Sequence, residues 1–230
     1  MNLVENQCCH VTVTINNTCL NRVKSITFLG IVLDELLSFK EHIAFVARGI
    51  NRVNGMLYKR RDLLPENCRR QLYFALVNNR INYGIEVYGS AKWSALKCVY
   101  VACNRVLRTL QNRDRYCNVK LLYKTYDILP VNLLHKLSTG RIIYKCLMNC
   151  TIVPNAIKNM FIQNRALHNY NTRLLETNYL FTNLDTASFN SLVFISCYDW
   201  NRIPIEIRNL VSFNSFSRTY KCHLHDPWIN

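Results

Sequence analysis

Apolar and polar residues follow two different periods along the chain. Near the N-terminus, Val11-Thr12-Val13-Thr14-Ile15 alternates with a period of two, the pattern of a half-buried strand. Asn16 and Asn17 follow, a pair that tolerates positive φ and suits a hairpin turn. A second strand is expected over 25–33, with Gly30 inside it as a bulge or a point of close backbone approach. From residue 36 to about 150 the helical period takes over. Between Leu36 and Leu64 the apolar positions Phe39, Ile43, Val46, Ile50, Val53 and Leu57 recur every three or four residues, one stripe of an amphipathic helix. Pro65 ends it and opens a second helix over 66–79, with Leu72, Tyr73, Phe74 and Leu76 on the buried side. Tyr83-Gly84 and Tyr88-Gly89 mark breaks. A third helix spans 92–110, burying Leu96, Val99, Cys103, Val106 and Leu110; a fourth spans 119–126 and a fifth 131–148, after Pro130.

Beyond Cys150 the periodicity fades. Residues 155–190 are rich in Asn and Thr and read as irregular, and short helical segments return around 190–199 and 213–224. The fold class predicted is mainly α with an N-terminal β-hairpin (α+β). The hairpin region occupies 1–34, a helical bundle 35–150, and an irregular C-terminal region with short helices 151–230. No stretch of about 18 apolar residues suggests a membrane span. The first six residues lack the basic and apolar regions of a signal peptide, so the expected compartment is intracellular, nucleus or cytoplasm. On that expectation the Asn-x-Thr sequons at Asn16 and Asn149 are chance.

Charge changes the picture most. The 230 residues carry 29 Lys and Arg against 14 Asp and Glu, a formal net charge of +15. Such a balance points to a polyanionic partner. The excess is concentrated: residues 40–124 hold 17 basic and 5 acidic side chains. On the first long helix, at ~100° per residue, Arg48, Arg52 and Lys59 fall within ~40° of one another around Gly55, with the apolar stripe at ~140–220°. A row of cations beside a small residue suits a phosphate backbone. With Lys40, Arg60, Arg69 and Arg70 these three make up the expected nucleic-acid-binding set.

Catalytic signatures are missing from the residues present. Two-metal chemistry needs clustered carboxylates, and the sequence contains no Asp-Asp pair; Asp34-Glu35 sits at a strand-to-helix boundary, where a negative charge favours the helix dipole. Eleven cysteines, an odd number, are expected as thiols. Cys98-x4-Cys103, Cys146-x3-Cys150 and Cys222-His223-x-His225 lack the paired Cys-x2-Cys spacing of zinc sites. Cys8-Cys9-His10 has no activating environment for a nucleophile. No metal and no cofactor are expected.

Several short motifs carry a resemblance. Phe28-Leu29-Gly30-Ile31-Val32-Leu33-Asp34, then Phe39-Lys40-Glu41-His42-Ile43, resembles the segment just after the catalytic palm in non-LTR (LINE-type) retrotransposon reverse transcriptases. The similarity continues through Leu57-Tyr58-Lys59, Leu63-Leu64-Pro65, Asn82 to Gly89, Ile128-Leu129-Pro130 and Trp200 to Arg208, in order, from about residue 11 to 222. In that family the Phe-Leu-Gly segment belongs to the primer-grip hairpin, and the following helices form a thumb that closes on template and primer. The resemblance therefore implies a primer-grip-like role for Phe28, Leu29 and Gly30 and a thumb-like role for the helical bundle. It implies sequence-independent binding of RNA or an RNA–DNA hybrid. The family's palm aspartates lie upstream of the Phe-Leu-Gly segment. They are absent from this chain, so it is expected not to act as an enzyme by itself but to partner a palm domain or the full-length parent polymerase. Membrane binding is not expected. The alternative is a standalone helical module that binds other proteins and has no nucleic-acid role.

Overall fold

The computed structural model describes residues 14–16, 18–19, 21–148, 153–163, 180–182 and 192–229. Its N-terminal part holds two antiparallel hairpins in place of two long strands. In the first, β1 (Thr14–Ile15) pairs with β2 (Thr18–Cys19), and Asn16 takes a positive φ of 49° in the turn. Val11, Thr12 and Val13, the rest of the expected strand, lie outside the described residues.

The second hairpin corrects the expected strand over 25–33. That stretch folds back on itself: β3 (Ser25–Phe28) pairs with β4 (Ile31–Asp34), with Phe28 opposite Ile31. Leu29 and Gly30 are the two turn residues, at φ 46° and 76°, the hand of a type I′ turn. Gly30 is thus a turn residue, not a bulge. The alternating pattern ran on through the turn because Leu29, an apolar residue, occupies a position where Asn or Asp usually signals a hairpin.

Helix α1 (Lys40–Arg60) follows a turn organised by Asp34. Its carboxylate accepts the backbone N–H groups of Ser38 at 2.9 Å, Phe39 at 2.7 Å and Leu36 at 3.2 Å. Burial pushes the Asp34 carboxyl up, but these amides and the Ser38 hydroxyl outweigh it and hold the pKa below its ordinary value. The expected stripe is buried at Phe39, Ile43, Val46, Ile50 and Leu57 and half-buried at Val53. It packs on α5 (Trp93–Leu110), whose expected face is buried at all five positions.

Between them runs one helical stretch with an unpredicted irregularity. Helix α2 (Glu66–Tyr73) widens into a π-type turn over Phe74–Asn78 before α3 (Asn79–Asn82). Val77 and Ile81, beyond the residues expected to be buried, are fully enclosed. Gly84, at φ 69°, breaks the chain before α4 (Ile85–Tyr88). Helix α6 (Val119–Tyr126) closes this first core, with Leu122 and Tyr123 buried.

A second core lies toward the C-terminus. Leu137, Ile143 and Tyr144 of α7 (Val131–Leu147) pack against Cys197 and Trp200 of α9 (Leu192–Asn201). Ile207 of α10 (Ile205–Arg208) and Phe216 and Tyr220 of α11 (Phe213–Ile229) complete it. The stretch expected to be irregular holds a short helix, α8 (Asn155–Lys158), and an antiparallel pair, β5 (Phe161–Gln163) with β6 (Leu180–Thr182). Three-residue strands are too short to print a period-two signature. Residues 164–179 and 183–190, Asn149, Cys150 and the Cys8-Cys9-His10 run lie outside the described residues.

Candidate nucleic-acid interface

The hairpin turn and the first helix define the candidate surface. Tyr83 donates its hydroxyl to the Leu29 carbonyl at 2.6 Å, and its ring lies against Gly30, where an added Cβ would sit 3.3 Å from it. Next in the chain, Gly84 leaves room for Ile31, whose Cδ1 would lie 2.5 Å from any Cβ placed there. The Phe-Leu-Gly turn is therefore seated on the Tyr-Gly pair that follows α3. A Leu in the left-handed region is strained by roughly 1–3 kcal/mol, and the Tyr83 bond to its carbonyl helps hold it there. Phe28 and Leu29 remain 62% and 73% exposed. Leu36 and Leu37, in the turn before α1 at the opposite end of β4, are also exposed.

The basic row runs along α1, which meets the hairpin near its start, where His42 accepts the Val32 N–H. Lys40, Arg48, Arg52, Lys59 and Arg60 are all exposed along α1, and none makes a hydrogen bond or ion pair with a described residue. Gly55, between Arg52 and Lys59, is open: an added Cβ would meet nothing within 4 Å. Packing does not require glycine there, although mid-helix glycine costs about 0.5–1 kcal/mol against alanine.

Arg69 and Arg70 behave differently. Arg69 donates to the carbonyls of Leu64 at 3.0 Å and Leu110 at 3.2 Å. Arg70 donates to the Tyr126 carbonyl at 2.9 Å and lies over the Phe74 ring. Leu110 and Tyr126 are the last residues of α5 and α6, where carbonyls lack helical partners. These two side chains, Arg69 half-buried and Arg70 exposed, tie helix ends together through their guanidinium groups.

Sequence reading missed Arg80. Its guanidinium lies across Gly49 of α1, with Nη1 2.6 Å from where a Cβ would stand, which brings a cation of α3 next to the basic row. Only the small residue on α1 hinted at this crossing. It also missed His42, which is 2% exposed. Its Nδ1 accepts the Val32 N–H at 3.4 Å, and its ring meets Tyr88 edge-on with centroids 4.9 Å apart. Burial lowers its pKa, so the ring is neutral near pH 7.

Asp34 and Glu35 are occupied structurally, Asp34 by the turn amides and Glu35 by Arg22 at 3.2 Å. Among the described residues no three His, Cys, Asp or Glu side chains gather as a metal-holding group. Cys103 and Cys197 are buried thiols, pushed up to about 12 by burial. No described helix is long and apolar enough to cross a membrane.

The described surface combines an exposed basic face on α1 with exposed apolar residues in the hairpin turn. The chain is 29% identical over 120 residues to the RNA-directed DNA polymerase from mobile element jockey of Drosophila funebris. It is 26% identical over 111 residues to the polymerase of the same name from Drosophila melanogaster. Each match covers 47% of this chain but only 13% and 12% of the respective relative. A region of the chain is thus related to non-LTR retrotransposon reverse transcriptases, as the motifs implied. No family model and no solved structure matches it.

Proposed function

We propose that the chain is the thumb-like C-terminal part of a retrotransposon RNA-directed DNA polymerase, and that it holds template and primer without making bonds. The supporting observation is the α1 face, whose exposed cations have no partner among the described residues, on the helix that follows the hairpin. In this reading Arg48, Arg52 and Lys59 neutralise backbone phosphates, with Lys40 and Arg60 extending the row. Phe28, Leu29 and Gly30 support the primer end. The exposed apolar residues of the hairpin turn and of the turn before α1 dock the palm, which carries the metal-binding aspartates. The hairpin, bundle and C-terminal region expected from the sequence are then grip, thumb and brace.

Binding of this type is electrostatic and independent of sequence. The test is a salt titration of binding to an RNA–DNA hybrid, with circular dichroism to confirm folding. Changing Arg48, Arg52 and Lys59 together to Ala should reduce the slope of log affinity against log salt by roughly 2–3 units, since each phosphate contact contributes about 0.9 in B-form DNA. Removing three exposed cations elsewhere, Lys97, Lys120 and Arg218, should change it less. An unchanged slope in the folded α1 variant would defeat the proposal. Purified chain should not extend a primer; metal-dependent, templated incorporation of nucleotides would overturn the non-catalytic part.

A further inference from the structure

A groove runs beside the basic row, between α1 and the π-type turn. It has a volume of about 530 Å³, within the roughly 300–1,000 Å³ of small-ligand sites. Phe45 and Val53 of α1 form one wall, and Ala75 and Leu76 of the π-type turn form the other. Tyr83 also lines it, and the Arg80 guanidinium reaches across to Gly49, between Phe45 and Val53 of α1. Phe45 is half-exposed, so the wall offers an open aromatic face. Asp and Glu are absent from the lining.

His42 is the buried polar group of a lining that also includes Asn79, Arg80 and Tyr83. Its Nδ1 accepts the Val32 N–H, which leaves the proton of the neutral ring on Nε2. That Nε2 is buried and without a partner among the described residues. A buried donor left unmade costs about 1–3 kcal/mol, which a ligand bringing a hydrogen-bond acceptor to Nε2 would recover. π-type turns are rare and concentrate at functional sites.

The position on α1 points to the occupant. Taking Arg48 as zero and ~100° per residue, Arg52 lies at ~40°, Phe45 at ~60°, His42 at ~120° and Val53 at ~140°. The groove therefore begins where the cationic row ends. A strand whose phosphates follow Arg48 and Arg52 can turn its bases toward the groove, where the Arg80 guanidinium at Gly49 supplies a further cation. We propose that the groove seats one unpaired base of a single strand, stacked on Phe45, with a base acceptor atom taking the His42 Nε2–H. A duplex cannot present a base this way, because its bases are stacked and paired. This inference rests on the nucleic-acid reading above and adds a second mode of contact to it: bases as well as phosphates.

The test compares polythymidylate with a fully abasic strand of equal length and charge, at fixed salt, for the full chain and two variants. The wild-type protein should prefer the intact strand by roughly 5- to 150-fold, the range of one aromatic–base stack. Phe45→Ala should erase that preference and leave the salt slope unchanged; Phe45→Trp should restore it. Phe45 is half-exposed, so both variants keep the core, and circular dichroism verifies this. Equal binding of the two strands by the wild type, or a preference that survives Phe45→Ala, overturns the groove while leaving the phosphate-gripping row intact. Absence of salt-dependent binding to either strand overturns both readings, and an unaltered hybrid-duplex slope in Phe45→Ala keeps the two failures distinguishable.

Discussion

The two cores of this protein use cations in opposite ways. Around the first, residues 40–124 hold 17 basic against 5 acidic side chains; residues 125–230 hold 10 against 6. The numbers differ less than the surroundings do. In the second region Lys136 pairs with Asp199 at 2.9 Å, Arg141 donates to Ser217 at 2.8 Å, and Lys221 donates to the Asp127 carbonyl at 2.9 Å. Arg208 is only 6% exposed. Arg202, Arg208 and Lys221 look on sequence like ordinary surface cations, yet Arg208 is enclosed and the other two have partners in Tyr198 and Asp127. On α1 the row faces water with nothing among the described residues to answer it. Net charge therefore says a polyanion is wanted, but the side chains available to meet one are those the fold has not already used.

The largest expected effect tests whether the second region is a packed core or a loose appendage. Phe216 is fully buried, stacked on Tyr144 at 4.4 Å and beside Trp200 at 5.7 Å. Phe216→Ala should cost about 3–5 kcal/mol in urea unfolding. A loss under about 1 kcal/mol would mean that this cluster contributes little, and the contrast between two cores would collapse.

Next comes a direct contrast of two arginines. Arg69→Ala leaves the Leu64 and Leu110 carbonyls without their donor and should cost about 1–3 kcal/mol. Arg48→Ala should change stability by less than about 0.5 kcal/mol and weaken hybrid binding instead. If Arg69→Ala were the more damaging to the salt slope and harmless to stability, the division between structural and binding cations would be wrong.

Asp34 sharpens the comparison at the junction that sets α1 against the hairpin. Losing its capping bonds in Asp34→Ala should cost about 0.5–2 kcal/mol near pH 7. Because its folded-state pKa lies below the ordinary 3.8, the wild-type advantage is fully present above that pH. It is lost as pH falls through the folded-state value. Unfolding curves of both proteins across that window should converge at the acid end; a constant gap would show that the carboxylate charge is not what matters.

The smallest effect concerns Gly55. With open space at its Cβ position, Gly55→Ala should stabilise the chain by about 0.5–1 kcal/mol through helix propensity. If a phosphate backbone approaches here, the same change should weaken hybrid binding. Stabilisation with unaltered affinity would leave Arg48, Arg52 and Lys59 as the contact and remove Gly55 from it.

Helix positions were legible because the helical period is a local property: a residue's face follows from its place along the chain alone. Thus α1, α5, α6 and α7 lie within a few residues of their expected spans, and Arg48, Arg52 and Lys59 of α1 stand opposite its buried stripe. The short motifs carried the class of protein for a similar reason, since a run such as Phe-Leu-Gly can be matched without knowing what it touches. What each guanidinium bonds is not local. Arg69 and Arg70 meet carbonyls 41 and 56 residues away, and Tyr83 reaches a turn 54 residues back. No pattern along the chain states such a meeting. The I′ turn hid behind an apolar Leu29, and the π-type turn behind an ordinary helical period. The groove, with its unanswered His42 donor, came into being only when β4, α1 and the π-type turn were packed together, because its chemistry depends on which hydrogen bonds the assembled fold leaves unmade.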